Sequence, residues 1–574
     1  MNKSFNRLAI DRTPPTWVLL LLSGLLLGLA YPPNPVGLLG SVGLVPLLIA
    51  LERARSYKEL IRWSYGSLVI FSALSSWWVG SWQAKADPFL MISCTLLVII
   101  HPLFFLVPLV IYRWVRQRSS LFFALAFLPF LWCGGEYLHA LSDASYPWLT
   151  LGNTQTYNIY YIQFIEFTGV WGLSFLLLVQ NVALAAMLFA LDRAEREQRR
   201  IFTICTALLA VTLVPPFLYG FYVLGEARTK IPAKAITVTV VQPNVDPWEK
   251  WNQTDTTDHI NLNFGLSAGS LADHPTQMFL WSETAIPYPI GDPGWEGKRT
   301  QLHDAVERLG VPVLTGFPDY LEYPDRSKAP ASAHVTMRPT ADGALDTVLY
   351  DHFNSAGLFV PGQGLTGAYH KMQLVPFGER IPFVDNVPWL MKMISWGVGI
   401  STWGKGDHIA TFRIPYRDTI TKGAAVICFE SVYPNVVRQF VDSGANFLTV
   451  ITNDGWYMGT PGPLQHARFA IMRAIETRRS IARAANTGVS CFVTPYGSMI
   501  GQTEEGVTTT TTASIELRDD LTLYTRWGDW WPILCLAVAG GMIVRVMIRR
   551  PSPAAPTVSA APPRESDPLD DPAL

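Results

Sequence analysis

The feature that most restricts the fold is the uneven distribution of apolar residues. The first 225 residues are mostly long apolar runs broken by short charged loops, whereas residues 230–525 resemble an ordinary soluble domain. A membrane-spanning helix needs about 20 apolar residues. The runs predict eight such helices, at about 17–31, 36–51, 64–83, 88–112, 120–140, 165–191, 202–224 and 528–548. We therefore predict a polytopic α-helical membrane domain joined to a globular domain.

The charges of the loops predict which side of the membrane each loop faces, because loops rich in Lys and Arg stay in the cytoplasm. Basic residues concentrate in the loops after the second, fourth and sixth runs and after the eighth run. The loops between them carry few charges. This alternation predicts that both termini are cytoplasmic and that the globular domain, which follows the seventh helix, lies outside. If one short run were not a span, that domain would instead be cytoplasmic.

These patterns divide the chain into five parts. We predict a cytoplasmic N-terminus at 1–16, a membrane domain of seven helices at 17–225, a catalytic domain at 232–520, an eighth membrane helix at 528–548 and a disordered cytoplasmic tail at 549–574. A net charge of -1 gives no indication of nucleic-acid binding. The six cysteines have no C-x-x-C or Cys/His metal spacing, so we expect no metal and no cofactor.

Residues 232–520 alternate short strand-like runs with helical stretches. Strands are predicted at 236–242, 277–282, 312–317, 356–360, 424–429 and 447–452, and a hairpin is predicted at 489–502. Helices are predicted at 299–309, 431–443 and 463–485. This alternation is typical of an α/β layered domain.

The run 424–427 ends at Cys428, where a strand would hold a thiol up to a substrate. A thiol becomes a strong nucleophile when a base or a positive charge favours the thiolate. Glu283 follows the apolar run 278–281, and Lys371 lies in the string 369–379. Together they supply a general base and a group for an oxyanion. Taken singly, such a Glu or Lys is usually a surface residue and such a Cys is usually core.

The strings around these residues are distinctive. They read WSETAIP around Glu283, YHK then LVPFGE after Tyr369, ICFE around Cys428, TNDGW at 452–456 and QH…RAIE at 465–476. Their order resembles the nitrilase (carbon–nitrogen hydrolase) superfamily. Together with the membrane helices, over roughly 15–550, the chain resembles the branch that acylates bacterial lipoproteins. The resemblance implies an αββα sandwich in the periplasm, held in the inner membrane.

The resemblance also implies a reaction. Cys428 would take an acyl chain from a phospholipid, typically phosphatidylethanolamine, as a thioester, and pass it to the N-terminal amine of a diacylglyceryl-cysteine on a lipoprotein. This ping-pong reaction is the last step of lipoprotein maturation. Glu283 would be the general base and acid, and Lys371 would stabilise the tetrahedral intermediates. Glu379 and Glu430 would support the site, and Trp251 and Trp456 would lie near substrate.

Two apolar segments allow two interpretations each. Segment 387–398 is too short to span a membrane. It is either a buried helix or, as we predict, a mobile lid that enters the membrane interface, with Trp389 and Trp396 as anchors and Trp389 at the substrate. The external loop around 146–153 is either an interfacial aromatic belt or a surface that faces the globular domain or a lipid.

Two other functions compete with lipoprotein acylation. A membrane-tethered amidase would use the same three residues with water as the acceptor, and a non-enzymatic scaffold would only bind lipoproteins. Eight helices argue against the amidase, because one helix suffices as a tether. The intact set of Glu283, Lys371 and Cys428 argues against the scaffold.

Overall fold

The structure is a computed structural model that describes residues 14–86, 88–251, 258–339, 344–387 and 403–548. The predicted lid with Trp389 and Trp396 and the C-terminal tail lie outside the described residues.

The N-terminal part of the chain is helical. Its helices are α1 (Thr16–Leu29), α2 (Val45–Arg53), α3 (Tyr57–Ser76), α4 (Pro88–Arg118), α5 (Leu121–Ala140), α6 (Ile165–Ala190) and α7 (Glu195–Thr229). Serine side chains begin two of them: Ser56 accepts a hydrogen bond from the backbone of α3, and Ser120 does so for α5. Short helical turns at Gly37–Ser41, Trp77–Gly80, Pro147–Leu149, Leu151–Gln155 and Ile159–Ile162 shape the loops between them.

Two sheets form the centre of the second part. The strands are β1 (Ala235–Gln242), β2 (Met278–Leu280), β3 (Val313–Glu322), β4 (His334–Pro339), β5 (Leu345–Val360), β6 (Gly364–His370), β7 (Phe412–Tyr416), β8 (Thr419–Ile427), β9 (Phe447–Thr452), β10 (Ile481–Ala485), β11 (Cys491–Val493), β12 (Met499–Ile500) and β13 (Thr509–Glu516). In the described part of the chain, one sheet has the order β13-β1-β2-β3-β5-β4 with β6 also on β5, and the other has the order β12-β11-β10-β9-β8-β7.

Helices cover both sheets. They are α8 (His259–Asp273) and α9 (Glu296–Leu309) on the first sheet, and α10 (Pro434–Asp442) and α11 (Gly462–Thr477) on the second. The inner faces of the sheets pack on each other, β1 against β10 and β5 against β8. Strands β9 and β10 are buried along their whole length because both of their faces are covered. The αββα sandwich is therefore confirmed.

A last helix, α12 (Trp530–Ile548), packs against α5. By length and composition, five helices among the described residues suffice to cross a membrane, namely α4, α5, α6, α7 and α12. Helix α1 has only 14 residues, and the predicted span 36–51 is a helical turn followed by the nine-residue α2. Gly37 of that turn packs against the Thr154 carbonyl, where a Cβ would lie 2.1 Å from the oxygen. Helix α3 has 20 residues, but Lys58, Glu59 and Arg62 in its first turns, together with its serines, lower its hydropathy.

The helix predicted at 463–485 is wrong beyond Thr477. Arg478 adopts a left-handed backbone (φ 49°) that ends α11, and its guanidinium donates to Glu166 (2.7 Å) and Gln163 (2.6 Å) of the membrane part. Ile481–Ala485 then forms β10 between β9 and β11. A run of Ile and Ala fits a buried helix and a buried strand equally well, so periodicity alone does not separate them.

One side chain of the sandwich connects three loops of the helical part. Gln465 on α11 is buried, and its Nε2 donates to the carbonyls of Pro32 (2.6 Å) and Ser75 (3.4 Å). Its Oε1 accepts hydrogen bonds from the indole nitrogens of Trp78 (3.1 Å) and Trp148 (2.7 Å). Every hydrogen-bonding position of this amide is used, so Gln465 ties the helical part of the chain to the sandwich.

We expect Gln465→Leu to lower the melting temperature of the detergent-purified protein by about 2–5 °C, because it leaves buried donors and acceptors unpaired at a cost of about 3 kcal/mol. Gln439→Leu is the matched control, since Gln439 is part-buried and bonds within its own helix. Equal melting temperatures for the two variants would contradict the role given to Gln465.

Candidate active site

The three predicted catalytic residues lie at the carboxyl ends of strands. Glu283 follows β2, Lys371 directly follows β6 and Cys428 directly follows β8. Strand β6 runs parallel to β3 because both are antiparallel to β5. Gly316 of β3 leaves room for the turn at Glu283, because a Cβ there would lie 2.8 Å from the Glu283 Cα.

Lys371 lies between two carboxylates. Its Nζ is 3.3 Å from Oε1 of Glu283 and 2.9 Å from Oε1 of Glu379. Asn354 of β5 donates its Nδ2 to the same two oxygens, at 2.7 Å and 2.9 Å. The other oxygen of Glu283 accepts a hydrogen bond from the backbone of Asn453 (2.8 Å). The carboxylates are therefore held by donors from three strands or strand ends.

The lysine is fully buried, with an exposure of 0%. Burial alone would lower the pKa of Lys371, but Glu379 and Glu283 outweigh burial and raise this pKa well above its usual value. The ammonium is therefore charged at neutral pH. A fixed positive charge of this kind is suited to stabilise an oxyanion.

Cys428 occupies a strained turn. Its backbone is left-handed (φ 52°), which is costly for a residue with a Cβ, and the turn aims the side chain away from the strand. Burial, reinforced by Glu283, raises the pKa of the Cys428 thiol well above its ordinary value, and Lys371 acts in the opposite direction. The resting residue is therefore a thiol, so a base must take its proton during attack.

Glu430 connects the loop of Lys371 to the turn of Cys428. One carboxylate oxygen accepts hydrogen bonds from the Tyr369 hydroxyl (2.7 Å) and from the backbone of Met372 (2.6 Å) and Gln373 (3.1 Å). The other accepts from the backbone of Ile427 (2.9 Å). Burial raises the pKa of Glu430, while these donors oppose the rise. Its position fits the supporting role predicted for it.

A second polar network lies beneath the thiol. His466 places Nδ1 2.8 Å from Oδ1 of Asp454, and its Nε2 is 2.8 Å from Oγ of Ser431 and 3.1 Å from the Cys428 carbonyl oxygen. Arg483 donates to Oδ2 of Asp454 (2.6 Å). The ligand atoms of Cys428, Asp454 and His466 lie within 4.8 Å of one another. A metal ion there would have to displace the hydrogen bonds of one His466 nitrogen and of one Asp454 oxygen, since both nitrogens and both oxygens are engaged within the protein.

Charge pairing governs the ionisation of this network. Burial alone would raise the pKa of Asp454, but Arg483 and His466 outweigh burial and lower this pKa to about 2. Burial, together with Arg483, lowers the pKa of His466, although Asp454 opposes the shift. Asp454 is therefore an anion at neutral pH and pairs with the buried guanidinium.

The external loop around 146–153 forms a wall beside Cys428. The rings of Tyr146, Trp148 and Phe429 stack, with centroids 6.0–6.5 Å apart. Trp148 also contacts the ring of Phe469 on α11 (4.9 Å). Of the two interpretations, the loop is therefore a surface that faces the catalytic domain, and it is buried there.

The predicted substrate tryptophans occupy different places. Trp251 is 44% exposed, and the Lys250 ammonium lies 5.8 Å from its ring centroid. Trp456 packs edge-on against Trp248 (4.7 Å), and its carbonyl accepts a hydrogen bond from Ser81 of the helical part (2.5 Å). Trp389 lies outside the described residues.

Sequence reasoning missed three contributors. Asn354 bridges the two carboxylates, and the signal for it was a polar residue just before the apolar end of a strand. Asp454 and His466 stand in strings that carried the resemblance, but neither was assigned a role. Their importance depends on contacts between distant parts of the chain.

Comparison with known proteins covers most of the chain. Residues 23–183 match the family model described as the apolipoprotein N-acyltransferase N-terminal domain, and residues 237–520 match the carbon-nitrogen hydrolase model. The chain is 35% identical to the apolipoprotein N-acyltransferase of Chlorobaculum tepidum, over 92% of this chain and 96% of that protein. It is 28% identical to that of Geobacter metallireducens, over 93% and 95%.

A similar solved structure is Saccharomyces cerevisiae Nit3, a member of branch 10 of the nitrilase superfamily. It is 15% identical, covers 50% of this chain and 92% of its own, and has a TM-score of 0.32.

The lowered pKa of Asp454 predicts a pH-dependent contribution to stability. Because the pKa of the Asp454 carboxyl is lower in the folded than in the unfolded chain, its ionisation stabilises the fold at any pH above the pKa of the unfolded chain. This stabilisation is lost as the pH falls from about 4 to about 2. We expect Asp454→Asn to lower the free energy of unfolding by about 2 kcal/mol at pH 7. The difference should shrink as the pH falls from about 4 to about 2 and vanish only below the folded-state pKa of about 2, where the wild-type carboxyl is also neutral. A difference that does not depend on pH in thermal unfolding would contradict this pairing.

Proposed function

The chain belongs to the apolipoprotein N-acyltransferase family, and we propose that it transfers an acyl chain from a phospholipid to the N-terminal amine of diacylglyceryl-cysteine on lipoproteins. Membrane embedding and acyl transfer to lipoproteins follow from the family. The phospholipid donor, which we propose is phosphatidylethanolamine, is what the resemblance to this family implies. The Cys428 thioester is our proposal from the position of the thiol beside Glu283 and Lys371.

One observation carries the proposal. Glu283, Lys371 and Glu379 form a buried charged cluster at the strand ends where Cys428 lies. The same place is walled by Trp148, a residue of the helical part. The thiol therefore lies between a catalytic domain and apolar helices, where a lipid ester and a lipid-anchored amine can both reach it.

In the first step, Sγ of Cys428 attacks the ester carbonyl carbon of the phospholipid while Glu283 takes the thiol proton. Lys371 faces the oxyanion of the tetrahedral intermediate. The intermediate collapses by breaking the bond between the acyl carbon and the glycerol oxygen. Protonated Glu283 gives its proton to that oxygen, so lysophospholipid leaves and the thioester remains.

In the second step, the neutral α-amine of the lipoprotein attacks the thioester carbon. Glu283 takes a proton from the attacking nitrogen, and the carbon–sulfur bond breaks as the amide forms. Glu283 then returns a proton to the thiolate. Glu379 stays paired with Lys371 throughout (2.9 Å), which keeps the ammonium charged. We propose that Trp251, Trp456 and Trp389 contact the lipid chains.

We further propose that the protein lies in the bacterial inner membrane, with residues 232–520 in the periplasm and both termini in the cytoplasm. The loop charges support this orientation. Basic residues at the end of α4, between α6 and α7 and after α12 favour the cytoplasmic side for these three points, so the end of α7, which leads into residues 232–520, lies on the opposite side whether or not 36–51 is a span.

Incubation of the detergent-purified protein with phosphatidylethanolamine should add the mass of one acyl chain. Hydroxylamine should remove it, and Cys428→Ala should not acquire it. Cys491→Ala is the matched control, since Cys491 is buried in β11 and should acylate normally. We expect Glu283→Gln and Lys371→Met to slow acylation about 10²–10³-fold. A diacylglyceryl-cysteine peptide should then take the chain from the wild-type enzyme.

An acyl adduct on Cys428→Ala would contradict the mechanism. No adduct on the wild type, with Cys428 still open to alkylation and ammonia released from small amides, would favour the membrane-tethered amidase instead.

The orientation predicts which sites an impermeant reagent reaches. In a variant without native cysteines, Ser327→Cys in the catalytic domain should react with an impermeant maleimide in intact spheroplasts. Ala194→Cys, between α6 and α7, should react only after permeabilisation. Both positions are exposed. The reverse pattern would place the catalytic domain in the cytoplasm.

A further inference from the structure

The amide of Asn354 completes a ring of four polar atoms in the site. Going round the ring, Lys371 Nζ is followed by Glu283 Oε1, Asn354 Nδ2 and Glu379 Oε1, with donor and acceptor alternating. The four distances are 3.3, 2.7, 2.9 and 2.9 Å. Asn354 is 3% exposed, so water does not substitute for its donors.

Charge counting shows why the ring needs a neutral donor. Two carboxylates face one ammonium, and each presents an oxygen to the same side of the cluster. Like charges placed this close repel, and burial strengthens the repulsion. The two N–H groups of Asn354 each face one of these oxygens without adding charge. The amide therefore gives each of the two carboxylates a neutral donor beside the one lysine that they share.

The backbone of Asn354 has a second function in the cluster. Its carbonyl accepts the N–H of Lys371 (2.9 Å), so the same residue sets the position of the lysine through the main chain and of the two acids through the side chain. The strand β5 that carries Asn354 lies between β3 and β4 and also pairs with β6. The ring is thus fixed to the sheet.

We propose that Asn354 is a positioning residue for the acyl transfer: its two N–H groups hold Glu283 in reach of the thiol proton and Glu379 on Lys371. This inference rests on the proposed function and adds a residue to it. The residue acts through the two carboxylates and does not itself contact the reacting atoms.

Asn354→Asp has the same shape but replaces both donors by a third carboxylate. We expect the acylation rate of Cys428 at saturating phospholipid to fall about 10²-fold at pH 7.5, as for a misplaced catalytic group, with an unchanged half-saturating concentration. The surrounding carboxylates and burial raise the pKa of the new acid. Lowering the pH should therefore protonate it, restore one O–H donor and raise the rate relative to wild type.

Two further substitutions separate the donor from the shape. Asn354→Leu has a similar size and no donor, so its rate should stay low at every pH. Asn354→Thr adds no charge and keeps one O–H donor, so its acylation rate should exceed that of Asn354→Leu at least about tenfold. This comparison tests the inference even if Asn354→Asp does not fold. Asn435→Asp on α10 is the matched control: its side-chain oxygen still accepts from Arg438, and we expect wild-type rates.

The inference is overturned if the acylation rate of Asn354→Asp, relative to that of the wild type, does not change with pH. It is also overturned if Asn354→Leu and Asn354→Thr acylate equally fast. Alkylation of Cys428 by iodoacetamide, which needs no acyl donor, separates this failure from that of the proposed function. The Asp variant should alkylate more slowly than wild type near neutral pH and equally fast once its new acid is protonated. If wild-type Cys428 is alkylated but never acylated, the proposed function is overturned. The alkylation rate of Asn354→Asp relative to that of the wild type still decides the inference in that case.

Discussion

The structure depends on one buried ammonium. Lys371 has no exposed surface, and a buried charge is tolerated only when it is paired and hydrogen-bonded. Of its partners, Glu379 lies 8 positions along the chain and Glu283 lies 88 positions away, and Asn354 joins them from the middle of a sheet. The sandwich must therefore hold these strand ends together. Glu430 contributes to this by tying the turn of Cys428 to the loop of Lys371.

The helical part does more than hold the catalytic domain at a membrane. Gln465 of α11 satisfies polar groups of three of its loops, and Trp148 from one of those loops stacks on Phe429, the neighbour of Cys428. Part of the wall of the site thus belongs to the membrane part. A single anchoring helix would not form this wall, which gives the additional helices a role besides anchoring.

Particular residues show how far sequence reasoning reaches. Cys428 was visible because it ends an apolar strand, and the strand 447–452 coincides with β9. The predicted helix at 463–485 is wrong beyond Thr477. Residues 481–485 form a central strand, and their Ile and Ala side chains fit a buried helix and a buried strand equally well. The span at 36–51 was wrong as a single helix: the run forms a helical turn, in which Gly37 packs tightly on Thr154, and then the nine-residue α2. Asn354 escaped notice because a lone Asn in a strand carries no pattern of its own.

The sequence by itself determined the division into apolar helices and an α/β domain and the candidate residues Glu283, Lys371 and Cys428. These depend on local hydrophobic patterns and on strings of neighbouring residues, which are properties of one stretch of chain. Only the tertiary structure decided that Asn354 bridges two acids, that Asp454 and His466 underlie the thiol and that the loop around Trp148 faces the site. Such contacts join residues tens to hundreds of positions apart, and packing alone brings them within hydrogen-bonding distance.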